Sequence, residues 1–147
     1  MARIVSADET QLSELIPLFD QYRIFYRQKS DLEAATAYLQ MRLKRKEAII
    51  YLAIDKGKAI GFTLLYKGFS SVSMQPILIL NDLYVAKPYR NKGVGEQLLK
   101  TAQVFCQENN YKGLALETAT DNPAQRLYER LGWKKDSYCF HYFWNAG

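Results

Sequence analysis

The stretch Asn81–Leu99, NDLYVAKPYRNKGVGEQLL, gathers the residue types of an anion-binding site into one short span. A β-prone run, DLYV, passes through a proline, Arg90 and Lys92 to two glycines, Gly93 and Gly95, and then into a strongly helical sequence. The N-terminus of a helix presents backbone N–H groups without intrahelical acceptors, together with the positive end of the helix dipole. Both favour a bound phosphate, and glycine lets its oxygens come close to the backbone. Arg90 and Lys92 add charge, and a guanidinium can bond two oxygens at once. The plain alternative is a strand-to-helix turn that merely contains glycine. Gly93 stands at the start of the helix rather than at its end, where caps use glycine, and this favours the anion site.

Two other phosphate loops do not fit. A P-loop needs its second glycine followed by Lys and Ser/Thr, but Glu96 and Gln97 follow Gly95. The dinucleotide fingerprint needs a third glycine three positions on, where Leu98 stands. Other chemistries are poorly supplied. The single histidine, His141, and two cysteines, Cys106 and Cys139, make neither a conventional zinc site nor a disulfide scaffold, and a Ser-His-Asp triad is a poor match. No metal is expected. Cys106 falls on the apolar side of a predicted helix, as a core thiol would.

The elements that must position the loop follow from periodicity. Asp8 and Gln11 form a capping-box pattern before a helix with Leu12, Leu15, Ile16, Phe19, Tyr22 and Tyr26 on one side. Ser30 and Glu33 repeat the pattern before a second helix carrying Leu32, Ala35, Leu39 and Leu43. AIIYLAI reads as a buried strand, DKGK as a tight turn, AIGFTLLY as the returning strand, and KGFSSVSMQ as a polar segment leading to the strand ILILNDLYV. After the glycine loop, Val94, Leu98, Leu99, Ala102, Phe105 and Cys106 mark a long helix, and GLALETA a short strand. Asn122 as N-cap and Pro123 open a further helix, which Gly132 ends. Trp133–Trp144 is aromatic and β-prone, the pattern of a final hairpin. The sum is one α/β domain over residues 1–147, with a mixed, mostly antiparallel sheet covered by helices on both faces.

Composition agrees with a packed globule. Of 147 residues 48% are hydrophobic and 14% aromatic, with 11 tyrosines, so one sizeable core is possible. No apolar run approaches a membrane span or a signal-peptide core, which points to a cytoplasmic protein without membrane attachment. The net charge of +5 suits an anionic partner. The densest cluster, Arg42–Lys46, closes a helix, where cations are at home, so no specific nucleic-acid partner is expected.

Arg90-x-x-Gly93-x-Gly95 directly after DLYV resembles the pyrophosphate loop of the GNAT superfamily of acetyl-CoA-dependent N-acetyltransferases, Arg/Gln-x-x-Gly-x-Gly/Ala between a strand and a helix. A second block, DNPAQRLYERLGW at Asp121–Trp133, resembles that superfamily's other signature: an Asn, an Ala, a Tyr, then Gly and an aromatic. The two blocks together cover about the C-terminal half. The N-terminal half, with FDQYRIFY, FSSVS and LNDLYV, is similar to a smaller group that includes fungal histone/polyamine acetyltransferase-like proteins. The resemblance implies the GNAT (acyl-CoA N-acyltransferase) fold, acetyl-CoA as cosubstrate, transfer of its acetyl group to a primary amine within a ternary complex, and frequent homodimers through the C-terminal strands. A non-catalytic acyl-CoA-binding module on the same fold is the alternative.

By the same resemblance, the strand before the loop splays from its neighbour, so that Leu83, Tyr84 and Val85 pair with the pantetheine arm. The pyrophosphate sits on the amides of Arg90, Asn91, Lys92, Gly93, Val94 and Gly95. Asn122 either touches pantetheine or caps its own helix, with Ala124 beside it. Tyr128 falls where the family places a tyrosine near the thioester sulfur, as acid for the leaving thiolate; the plain alternative is core packing. Some relatives carry Glu-Asp where this chain has Asn81-Asp82. Either Asp82, or Glu117 on the next strand, is a base acting through water, or no dedicated base exists and Asp82 is a structural carboxylate; strand alternation puts Asn81 on the opposite side of the sheet. Tyr22, Arg23, Tyr26, Ser71 and Ser73 are candidates for the acceptor pocket, against ordinary helix packing and loop hydrogen bonding.

Overall fold

The computed structural model describes residues 2–147. The capping box is present as read: Asp8 accepts from the Thr10 N–H at 2.7 Å, and Gln11 accepts from the Asp8 N–H at 2.9 Å. It opens a 3-10 turn, Glu9–Gln11, which runs into α1, Leu12–Phe25. Leu15, Leu18 and Phe19 line the buried side of α1, and α2, Leu32–Lys44, buries Ala35 and Leu39. The cap of α2 is Asp31, which accepts from the Ala34 N–H at 3.0 Å, and not Ser30. The Ser30 hydroxyl donates instead to buried Asp20 at 2.6 Å, beside the Asp31 N–H at 2.9 Å. These donors, Ser30 foremost, hold the Asp20 carboxyl below its ordinary range and pin the turn between the two helices.

Five strands form one sheet in sequence order: β1 Arg3–Ser6, β2 Ala48–Asp55, β3 Lys58–Ser70, β4 Gln75–Val85 and β5 Leu114–Ala115. The first three pairings are antiparallel and β4–β5 is parallel. The β2–β3 turn uses positive φ at Lys56 (51°) and Gly57 (77°), as a two-residue hairpin requires. KGFSSVSMQ is mostly strand. Its residues extend the β3–β4 hairpin to a tight turn at 71–74, closed by Met74 N–H on the Ser71 carbonyl at 3.3 Å. One face of the sheet packs Ile50, Leu52, Phe62 and Leu64 against α1 and α2. The other packs Ala53 and Ile60 against Val94 and Leu98 of α3, Val94–Glu108. This is the mixed sheet, flanked by helices, that the residue pattern predicts.

The chain divides into two compact units, residues 1–117 and 118–147. The second holds α4, Gln125–Arg130. Gly132 at φ 93° ends it, with Trp133 N–H returning to the Tyr128 carbonyl at 3.0 Å, as in a Schellman closure. The final hairpin read for Trp133–Trp144 is not formed: among the described residues no strand follows β5. A β-prone segment becomes a strand only beside a hydrogen-bonding edge. Among the described residues this tail takes part in no strand pairing, and Tyr138, Phe140, Tyr142, Phe143 and Trp144 stand 81–89% exposed.

Candidate active site

The site grows from the two edges of β4. Along one edge β4 pairs with β3 from Gln75 opposite Ser70 to Val85 opposite Gly61. Along the other it meets β5 only at Leu78–Leu114 and Ile79–Ala115. From Asn81 to Val85 that outer edge has no paired strand among the described residues. A bulge marks the parting: Leu65 faces Leu80 and Leu64 faces Asp82, so Asn81 is the extra residue. The Ala86 N–H donates to the Ile60 carbonyl at 2.8 Å. By antiparallel alternation, Tyr84 also turns its backbone groups toward β3, while Leu83 and Val85 turn theirs to the open edge. The Val85 carbonyl accepts from Arg90 Nε there, at 2.8 Å.

The glycine loop follows. Asn91 (φ 62°) and Gly93 (φ 83°) both take the left-handed backbone, and Gly93 is the N-cap of α3. A Cβ at Gly93 would meet nothing within 4 Å, so its conformation and not crowding calls for glycine. With no cap side chain, the first-turn amides of Val94 and Gly95 have no intrahelical acceptor. The Arg90 side chain has partners of its own. Its Nε is taken by Val85, and its guanidinium lies 5.4 Å from the ring centroids of both Phe25 and Tyr84. Lys92 stays in the loop, with Nζ 5.9 Å from the Tyr89 ring.

Gly61 escaped the sequence reading. A Cβ there would stand 3.0 Å from the Tyr84 carbonyl oxygen and 3.4 Å from side-chain atoms of Leu98 and Val94. The bare backbone lets the start of α3 lie against the sheet beside the open edge. A glycine inside the strand pattern AIGFTLLY was the available signal.

Asp82 and Tyr84 project toward α1. Asp82 is buried and accepts from Asn81 Nδ2 at 3.1 Å and from the Tyr22 hydroxyl. Asn81 therefore does not sit apart from Asp82 on the opposite side, as alternation predicts; the bulge breaks the alternation and returns its amide to the carboxylate. Burial lifts the Asp82 carboxyl above its ordinary value, against the smaller pull of the two donors. Burial, and then the Asp82 charge, push the Tyr22 hydroxyl far above its ordinary range, so it remains a donor. Two further tyrosines that the sequence did not single out lie nearby. Tyr66 of β3 and Tyr38 of α2 share a hydroxyl–hydroxyl hydrogen bond, and the Asp82 charge contributes to raising the Tyr66 hydroxyl.

The remaining candidates divide. Tyr26, just past the end of α1, packs edge-on against Tyr22 with centroids 5.0 Å apart, so both tyrosines join the wall beside Asp82. Arg23 spends Nη1 on the Lys29 carbonyl at 3.1 Å, within the α1–α2 turn. Ser71 and Ser73 lie at the tip of the β3–β4 hairpin, roughly 20 Å of strand away from Asp82; the structure does not bring them to Tyr22. In the second unit, Asn122 Oδ1 accepts from the Ala124 N–H at 2.9 Å and its Nδ2 donates to Thr118 at 2.9 Å, which orders the entry to α4. The helix proper starts after Ala124, so Pro123 precedes it. Tyr128 lies on α4 with its ring 5.9 Å from that of Trp133. Among the described residues no group of three His, Cys, Asp or Glu side chains comes together, and no helix is long and apolar enough to cross a membrane.

A strand that leaves its parallel neighbour beside a glycine-led helix N-terminus is the framework of an acyl-CoA-type N-acyltransferase. Residues 13–133 match the model of the Acetyltransferase (GNAT) family, and the chain belongs to that family of acyltransferase enzymes. It is 46% identical over 144 residues to an uncharacterized N-acetyltransferase, YhfO, of Bacillus subtilis, covering 97% of each chain. A crystal structure of a probable acetyltransferase superposes with a TM-score of 0.93 at 38% identity, covering 99% of this chain and 98% of the other. The aminoglycoside N-acetyltransferase AAC(6')-Iy, solved in complex with CoA, shares the fold at a TM-score of 0.81 and 21% identity, covering 99% and 96%. The assignment stands at the level of the family; the narrower fungal histone/polyamine grouping is not part of it.

Proposed function

We propose that the enzyme transfers the acetyl group of acetyl-CoA to a primary amine by direct attack, with both substrates bound together. The observation that carries this is the parting of β4 from β5 at Asn81, alongside the Gly93-led start of α3. The open-edge backbone of Leu83 and Val85, with Tyr84 between them, suits the amides of a pantetheine arm. The amides from Arg90 through Asn91, Lys92, Gly93 and Val94 to Gly95 suit a diphosphate, and Asn122 and Ala124 are assigned to the same cosubstrate. Acetyl-CoA supplies an activated acyl group. The chain supplies the proton handling. An amine with a pKa of about 10.4 is neutral in only about one molecule per 10³ at pH 7. Asp82, buried and lifted in pKa, receives the ammonium proton through water. The Val85 N–H offers a donor where negative charge develops on oxygen. The Tyr128 hydroxyl holds the proton destined for the leaving sulfur. The balance is one ammonium and one thioester giving one amide, one thiol and one proton.

Thiol release from acetyl-CoA, followed across amines, amino acids and basic peptides, tests this reading. Release dependent on one class of amine is the expected result. Tight acetyl-CoA binding with no release above buffer hydrolysis for any amine would overturn it.

A homodimer completes the proposal. Residues 138–144 expose five aromatic side chains, four of them, Tyr138, Phe140, Tyr142 and Trp144, at strand-like spacing, and a second copy of the chain is the partner that would pair and cover them. Sedimentation is expected to give twice the 17.0 kDa chain mass; a monomer at tens of micromolar would refute it.

A further inference from the structure

The acceptor side of β4 is aromatic from the interior to the surface. Fully buried Phe62 meets Tyr22 edge-on at 5.5 Å, and Tyr22 meets Tyr84 at 5.7 Å. Phe25 extends the wall outward, 5.3 Å from Tyr26 and 6.3 Å from Tyr84. Phe25 is 58% exposed and Tyr26 55%, an unusual exposure for two adjacent large rings continuous with a buried aromatic cluster. At its inner end the wall carries one carboxylate, Asp82, bonded to the Tyr22 hydroxyl. At its outer end the charge is positive. The Arg90 guanidinium lies 5.4 Å from the Phe25 and Tyr84 rings, and Arg23 and Arg27 belong to the same end of α1. Asp20, held ionised by Ser30 and the Asp31 N–H, lies near Arg23 and offsets its charge, so the cation that faces the rings is Arg90.

We propose that the acceptor is a primary amine bearing a single positive charge on an aromatic body, and that Phe25 and Tyr26 determine this specificity. The inference rests on the acetyl-transfer reading above and names its substrate class. One buried carboxylate matches one ammonium. The second and third ammonium groups of a polyamine or an aminoglycoside would face the Arg90 guanidinium instead, and such like-charge encounters select against a partner. An aryl ring, by contrast, stacks on exposed aromatic faces and displaces water from them. A carboxylate on the amine is compatible, because the guanidinium of Arg90 lies at the outer end of the wall. The chemistry is unchanged: the amine nitrogen gains the acetyl group, the thiol departs, and one proton is released.

The test compares 2-phenylethylamine, phenylalanine, ethylamine, spermidine and an aminoglycoside by initial rate of thiol release, with acetyl-CoA affinity measured separately by calorimetry. The expected kcat/KM for 2-phenylethylamine or phenylalanine exceeds that for spermidine by at least ~10-fold. Phe25→Ala is expected to raise KM for the aromatic amine about 10-fold while leaving KM for ethylamine and the affinity for acetyl-CoA within about 2-fold. Phe25→Leu, which keeps apolar bulk without a ring, controls for folding and is expected to fall between. A preference for phenylalanine over 2-phenylethylamine supports the proposal and assigns Arg90 to the carboxylate. A preference for spermidine or the aminoglycoside overturns it, as does an equal effect of Phe25→Ala on aromatic and small amines. Those results leave acetyl transfer itself intact; silence toward every amine, with acetyl-CoA still bound, overturns the transfer reading and this proposal with it.

Discussion

Asp82→Asn is expected to lower kcat/KM for the amine by about 10²–10⁴-fold, the range for loss of a general base, and to raise the melting temperature at neutral pH. The two effects share one cause. Burial lifts the folded pKa of Asp82 above its ordinary value of 3.8. Between that value and the raised one, the folded chain holds a proton that the unfolded chain has lost, so stability falls as pH rises through this window. Above the folded pKa the whole penalty for a buried charge is present. Asparagine removes the charge while its carbonyl oxygen still accepts from Tyr22. The gain in melting temperature is therefore expected at pH 7, at about 2–4 °C for each kcal/mol in a chain of this size, and is expected to vanish below about pH 4, where both versions are neutral. Rates across pH in the wild type are expected to rise as Asp82 ionises. Unchanged kcat/KM in the variant would make Asp82 a structural carboxylate, and a lower melting temperature at pH 7 would contradict the burial argument.

The second large effect is expected from Tyr128→Phe: a fall in kcat of about 10²-fold with acetyl-CoA affinity unchanged within about 2-fold. Phenylalanine keeps the ring, which packs 5.9 Å from Trp133, so the change isolates the hydroxyl. A thiolate is a poor leaving group until it gains a proton or a hydrogen bond. The deficit is therefore expected to shrink with an acetyl thioester of a more acidic thiol, whose departure needs less help. Full activity in the variant would return Tyr128 to the packing role that the helix spacing alone allows.

The conformation of the glycine loop was legible because its requirements are local. Positive φ at Gly93 and uncapped amides at the head of α3 depend on a few consecutive residues, and the motif records them directly. Capping at Asp8 and the turn at Lys56–Gly57 were legible for the same reason. Where a local preference met a distant partner, the sequence misled. Ser30 has the chemistry of an N-cap, but Asp20, ten residues earlier, claims its hydroxyl and Asp31 caps instead. The aromatic tail has the chemistry of a hairpin, but strand formation depends on an edge that the tail's own residues do not supply.

By itself, the order of residues determined α1, α2, α3 and the β2–β3 hairpin, where the glycine loop stands between strand and helix, and the family to which the chain belongs; all of these are written in short-range periodicity and spacing. Tertiary structure alone decided that Asn81 is the bulged residue and turns back to Asp82, that Gly61 admits α3 to the sheet, and that Tyr22, Phe25, Tyr26 and Tyr84 form one wall. Register between β3 and β4, and the contact of α1 with both, set these relations. Each is a distance between residues far apart in the chain, fixed by how the core closes rather than by any residue's own preference.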